Sequence, residues 1–176
     1  MPKIIDHDKH RETLARNAAP LFSKYGYSGL GMRKIAEELG LSKSALYHYF
    51  PNKQALFHAS TAAVMRFENP ATAPNGDPID ALLQTLKEME PEFPQEMTLV
   101  FDYLRGKTAT EISQDSTMQL ANARYTSLVK AVTGEKDAAN AICLILGVLL
   151  MRYFDGGKTS FDIIEMHLHQ KISRPE

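Results

Sequence analysis

Apolar side chains recur at every third or fourth position along almost the whole chain, and no alternating run bounded by turn residues reads as a strand. The fold class is therefore all-α. Leu14, Ala18, Phe22 and Tyr25 trace a first helix that ends near Gly26, with Pro20 expected to loosen or kink it. Met32, Ile35, Ala36 and Leu39 form a short second helix closed by Gly40, and Ser42 stands as the N-cap of a third that runs to Phe50 and stops at Pro51. A fourth starts near Lys53 and carries Leu56, Ala63 and Phe67 on one face. The stretch 69–78, with three prolines and a glycine, reads as a linker or long loop. Beyond it lie Ile79, Leu82, Leu83 and Leu86, a break at Pro91 and Pro94, a helix to about Arg105, and a long helix ending before Gly134. Residues 136–154 are apolar on most faces, which predicts burial nearly all round. Phe161, Ile164, Leu168 and Ile172 instead form one narrow stripe suited to a partner helix.

The second and third helices, joined by Gly40-Leu41-Ser42, form a helix-turn-helix pattern. At about 100° per residue, Ala45, Leu46, Tyr49 and Phe50 fall on one arc of the third helix, and Lys43, Ser44, Tyr47 and His48 on the other. A recognition helix needs that division: one face packs on the preceding helices while the other enters a major groove. Lys43 supplies a cation, Ser44 a short donor and acceptor, and Tyr47 and His48 rings whose polar atoms reach phosphates or base edges. Lys53, at the start of the next helix, is placed to meet a phosphate together with the helix amides. Periodicity alone leaves open the simpler reading, an amphipathic surface helix that never touches DNA.

Charge sharpens the picture. The 20 Lys and Arg nearly balance the 21 Asp and Glu, but residues 1–58 hold nine against five, a net of +4, and the remaining 118 hold 11 against 16, a net of −5. A basic module joined to an acidic one puts any phosphate contacts in the first. Cys143 is the only cysteine, which excludes an intramolecular disulfide, a four-cysteine zinc site and a CxxC motif. It lies in an apolar stretch where a small buried hydrophobe is expected. The first 15 residues have no apolar run of the signal-peptide kind, and the longest strongly apolar run, 141–151, is too short to cross a bilayer; a cytoplasmic protein without membrane contact is the expectation.

The run Gly26-Tyr27, Met32-Arg33-Lys34-Ile35-Ala36, Gly40 through Phe50, Asn52-Lys53 and Leu56-Phe57 closely resembles the N-terminal domain of TetR-family transcriptional regulators, in register from Leu14 to Phe57. The resemblance implies a three-helix DNA-binding domain at 1–52 and a helical effector-binding and dimerisation domain at 53–176. It further implies a homodimeric repressor that a small molecule releases from a palindromic operator in double-stranded DNA. By the family pattern Tyr47 and His48 contact the DNA backbone, Ser42, Lys43 and Ser44 stand at the groove-facing start of the recognition helix, and Lys53 clamps a phosphate. The family often has Thr-Ser or Thr-Thr ahead of the second helix where this chain has Leu30-Gly31, so Arg33 or Lys34 takes over that charge. The alternative is a helical binding protein of the same fold that has lost operator binding.

The remainder carries no fingerprint. Phe93, Phe101, Tyr103, Leu104, Met118 and Tyr125 are candidates for the lining of an effector pocket between helices, although aromatics at helical spacing are more often plain core. Gly147, Met151, Phe161, Ile164, Leu168 and Ile172 are candidates for a dimer interface, because the last two helices leave more apolar surface than 118 residues easily hide. His7, His10, His167 and His169 do not complete a metal ligand set, and no phosphate loop, GxSxG elbow or HExxH sequence supports an enzyme. No cofactor is expected.

Overall fold

The structure, a computed structural model, describes residues 7–65 and 78–172. All regular structure among them is helical: α1 (His7–Tyr25), α2 (Met32–Glu38), α3 (Lys43–Tyr49), α4 (Lys53–Met65), α5 (Pro78–Met89), α6 (Phe93–Leu104), α7 (Ala109–Ser113), α8 (Ser116–Asp155) and α9 (Asp162–Ile172). Phe67 and most of the expected linker lie outside the described residues; Pro78 opens α5, where its missing N–H costs nothing.

Helix boundaries follow local chemistry. Helix α1 runs on past Pro20 to Tyr25 and ends at Gly26, whose φ of 73° is a left-handed conformation that favours glycine. Gly40, at φ 68°, does the same after α2. Ser42 caps α3 by accepting a hydrogen bond from the Ala45 amide at 3.1 Å. Pro94 lies within the first turn of α6 rather than before it. The short helix α7 is an element the periodicity did not predict; Thr108 and Glu111 form a reciprocal capping box at its start. Helix α8 leaves helical geometry at Gly134 (φ 75°, ψ 172°), the position where one helix was expected to end and the next to begin.

The chain divides into two compact units, one formed by Met1–Glu68 with Gln95–Ala121, the other by Asn69–Pro94 with Asn122–Glu176. In the first unit α1 packs along α4, and Leu14, Ala18, Phe22, Leu30, Ile35, Leu46, Phe50, Leu56 and Phe57 form the core. Tyr103 is part of that core, and Leu104 and Met118 pack against it. Compact packing thus continues beyond residue 52 into α4, the end of α6 and the start of α8.

In the second unit α5 buries Ile79, Leu82, Leu83 and Leu86, and α9 packs against it. Here the sequence expectations need correction. The stripe Phe161, Ile164 and Leu168, read as a surface for a partner helix, is buried within the chain at 9%, 0% and 1% exposure, because α5 supplies the apolar face it needs. The Ile172 side chain lies outside the described residues. The 136–154 segment is not buried all round: Ala138, Ala141, Ile145, Val148 and Leu149 face the core, while Leu146, Met151, Tyr153 and Phe154 are exposed. Cys143 is exposed as well.

By length and composition the stretch Ala138–Asp155 is long enough to cross a membrane, longer than the uninterrupted apolar run suggested. Its polar end is nevertheless tied into its own unit. Arg152 donates from Nε to Glu90 at 2.5 Å and from Nη1 to the Thr159 carbonyl, with its guanidinium 4.3 Å over the Phe161 ring. Asp155 accepts from the amides of Lys158 and Thr159 and so fixes the turn into α9.

Candidate nucleic-acid interface

The third helix divides as its sequence requires. Leu46 and Phe50 are fully buried and Ala45 and Tyr49 half-buried, whereas Ser42, Lys43, Ser44, Tyr47 and His48 are exposed on one side. Burying one large side chain within this seven-residue helix and another at its C-cap fixes its rotation about its own axis, since each is worth roughly 1.5–3 kcal/mol of transfer free energy. The exposed face is then a consequence of the core.

Two features organise that face. The Ser42 hydroxyl, besides capping the helix, lies 3.0 Å from the Ser44 hydroxyl. Lys43 Nζ lies 5.7 Å from the centre of the Tyr47 ring, a loose cation–π contact that leaves the ammonium in water. His48 meets the Tyr49 ring edge-on at 5.3 Å and the His7 ring at 5.9 Å, while His10 meets Tyr49 at 5.2 Å. The start of α1 therefore adjoins the end of α3, an association that helical spacing within one element does not reveal. Arg11 strengthens it: its guanidinium lies 4.9 Å over the Phe50 ring, and Nε donates to the Tyr49 carbonyl at 3.4 Å. Arg11 and His7 were absent from the nucleic-acid candidates of the sequence because their partners lie about 40 residues away.

Helix α2 presents Arg33 and Lys34 to solvent. Arg33 pairs with Glu37 at 3.1 Å and Lys34 with Glu38 at 3.0 Å, with both cations more than half exposed. The hydrogen bond from Lys34 lowers the Glu38 carboxyl, helped by one from the Tyr25 hydroxyl, and the same bond raises Lys34. Exposed pairs of this kind contribute little to stability, so a phosphate can take either cation. The N-cap of α2 is Gly31, which makes no side-chain capping bond, and Leu30 ahead of it is buried in the core at 1% exposure. The cap position thus offers no hydroxyl, while Leu30 beside it serves core packing.

Lys53 is the candidate whose setting differs most from its sequence reading. Its Nζ donates to the Tyr27 carbonyl at 2.7 Å and lies 4.3 Å over the Tyr27 ring, and partial burial lowers its pKa against the opposing effect of Asp102. An ammonium has three donors, so two remain for a phosphate.

The six pocket candidates are distributed otherwise than expected. Tyr103 is claimed by the core of the first unit: its ring packs on Tyr27 at 4.7 Å and Phe57 at 4.6 Å, and its hydroxyl donates to Asp115 at 2.6 Å. Leu104 and Met118 pack on the same core, and Phe101 is 59% exposed. Phe93, buried, and Tyr125, half-buried, belong to the second unit. Of the interface candidates, Gly147 and Met151 are exposed. Among the described residues no group of three or more His, Cys, Asp or Glu is arranged to hold a metal ion.

The arrangement has relatives. The chain is 32% identical over 133 residues to the class A tetracycline repressor from transposon 1721 of Escherichia coli, a match covering 76% of this chain and 60% of the repressor. The chain thus spans about 60% of the length of that relative. Among solved structures it is similar to reduced NemR of E. coli (TM-score 0.62, 20% identity, covering 94% of this chain and 99% of the other). It also resembles AibR, solved with isovaleryl coenzyme A and operator DNA (TM-score 0.55, 20% identity, covering 91% and 96%). At these identities the two structures speak for the fold. The first of these relatives is a repressor by name. Residues 14–60 match the family described as bacterial regulatory proteins, tetR family. The likeness to that family thus rests on the stretch that holds most of α1, all of α2 and α3, and the start of α4.

Proposed function

We propose that the protein is a DNA-binding transcriptional regulator of the cytoplasm, a homodimeric repressor that a small molecule releases from a palindromic operator. The observation that carries the reading is the exposed face of α3, where Lys43, Ser44, Tyr47 and His48 stand together over a buried Leu46 and Phe50. In this reading Ser44 and Lys43 meet base edges, Tyr47 and His48 meet phosphates, and Arg33, Lys34 and Lys53 add backbone contacts that hold the register. The functional division runs between the helix-turn-helix at 1–52 and the helices from 53 onward.

Pairing of two chains accounts for apolar surface that one chain leaves open. Leu146, Met151, Tyr153 and Phe154 on α8 and Ile163 and Met166 on α9 are large apolar residues at 39–72% exposure. Gly147 lies on the same side, with nothing within 4 Å of where a side chain would begin, so a partner helix can approach closely. The effector is a small molecule bound within the helices beyond α4, with Phe93 and Tyr125 the remaining aromatic candidates of the original set. By linkage, operator and effector weaken each other's binding by the same factor.

Base selection tests the assignment. Replacing Ser44 by Ala changes the base preferred at one position of each half-site and leaves the other positions as they were. An unaltered selection profile would remove α3 from sequence reading and favour the same fold without operator binding.

A further inference from the structure

The segment Gly26–Gly31 joins α1 to α2 and is gripped at three points. The Tyr27 ring is packed among Phe22, Phe57 and Tyr103, with ring centres 6.1, 5.1 and 4.7 Å away. The Tyr27 carbonyl accepts from Lys53 Nζ at 2.7 Å. The third grip comes from α6: the Ser28 amide donates to Asp102 Oδ2 at 2.7 Å, across 74 residues of sequence.

The carboxylate is held closely. A side chain at Gly26 would begin 3.1 Å from Asp102 Oδ2, and one at Gly29 would begin 2.8 Å from the Tyr25 carbonyl oxygen, so glycine is the residue that lets the loop run this close to its anchors. Hydrogen bonds from the Ser28 amide and hydroxyl hold the Asp102 carboxyl below its ordinary range, aided by Arg105 and the Tyr27 amide. Arg105 itself, at 3.7 Å and largely exposed, contributes little geometry.

What the loop leads into gives the grip its meaning. An N-cap side chain normally fixes the angle at which the chain enters a helix. Here Gly31 makes no such bond, and α2 follows directly with Arg33 and Lys34 on its exposed side. We infer that Asp102 is a positioning residue: by holding the Ser28 amide it sets the entry of α2, and through α2 the placement of Arg33 and Lys34 on DNA. This rests on the DNA-binding reading above and adds to it a contribution from outside residues 14–60.

The experiment compares full-length wild type, Asp102→Ala and Asp102→Asn on a duplex selected by the wild type and on an unrelated duplex, below the melting temperature of every variant. Asparagine still accepts a hydrogen bond through Oδ1, whereas alanine cannot. The Ala variant loses about tenfold in affinity on both duplexes, the size of one charge-assisted hydrogen bond, because misplaced Arg33 and Lys34 give up phosphate contacts that do not depend on sequence. The Asn variant stays within about threefold of wild type on both, as expected when only the charge assistance of that bond is lost. Hydrogen exchange at the Ser28 amide accelerates in the Ala variant and not in the Asn variant. An Ala variant that bound both duplexes as tightly as wild type would overturn the assignment, as would an Asn variant that fell as far as the Ala variant. If wild type distinguished no duplex, the DNA-binding reading would fail. Ser28 exchange would then decide alone: acceleration in the Ala variant upholds the hold of Asp102 on the α2 entry, and no acceleration overturns it.

Discussion

Asp115 shows how much one side chain carries when it is buried and fully bonded. Its Oδ1 accepts from the Thr117 and Met118 amides at 2.9 and 3.1 Å, capping α8, and its Oδ2 accepts from Tyr103 and from Lys107 Nζ, both at 2.6 Å. Burial by itself would raise this carboxyl, but the bonds from Lys107 and Tyr103 and the cap amides outweigh it and hold the pKa at about 2. A depressed folded pKa means stability that is present above the unfolded value near 4 and is lost as pH falls through about 2. The shift corresponds to roughly 2 kcal/mol. Denaturant titrations are therefore expected to show Asp115→Asn about 2 kcal/mol below wild type at pH 6, with the gap narrowing between pH 4 and pH 2. A gap that held constant down to pH 2 would contradict the assignment. The sequence alone did not single out Asp115: its partners stand 8 and 12 residues back, and only the pattern of Asp before an apolar run hinted at a cap.

Lys53 poses the same question for function. A normal dependence of DNA affinity on salt in Lys53→Ala would show the ammonium to be committed to Tyr27 alone. The expected result is a uniform loss of affinity on all duplexes and a salt slope smaller by about 0.9, one phosphate's worth.

At the scale of the element, α3 is the part most legible in the sequence. Seven residues with apolar side chains on one arc, a serine before them and a proline after them specify a helix, its ends and its rotation together, and each agrees with the structure. Ser42→Ala removes the cap and is expected to cost about 1 kcal/mol of stability, measured by thermal or chemical unfolding. An unchanged midpoint would show that packing of Leu46 and Phe50 suffices. Helix α9 is the counterexample. Its stripe of Phe161, Ile164 and Leu168 announces that something covers it, but spacing cannot say whether the cover is α5 of the same chain or a helix of another. Periodicity fixes which face is buried, never by whom. Helix α7 escaped for a different reason: five residues are too few to show a period, although the Thr108-x-x-Glu111 pair was there to be read.

For the whole molecule, the exposed apolar residues of α8 and α9 carry the claim of pairing. Phe154 is the most exposed of these residues at 72%, so Phe154→Glu leaves the fold of one chain intact. The variant is expected to run as a monomer by light scattering at concentrations where wild type is a dimer, with helical content unchanged. A variant that remained dimeric would move the interface elsewhere. Gly147→Leu should act in the same sense, since open space around Gly147 within the chain means that only a partner would clash. The charge division fits the same proposal: the excess of cations lies in the first 58 residues, which include α3, and the remainder is acidic.

The most direct test of the account is selection of bound sequences from random duplex DNA by the purified protein at about 150 mM salt, where non-specific electrostatic binding is weakened. The account predicts a palindromic consensus with half-sites about one helical turn, or a multiple of it, apart. Absence of any enrichment, at this salt and at a lower one, would contradict it.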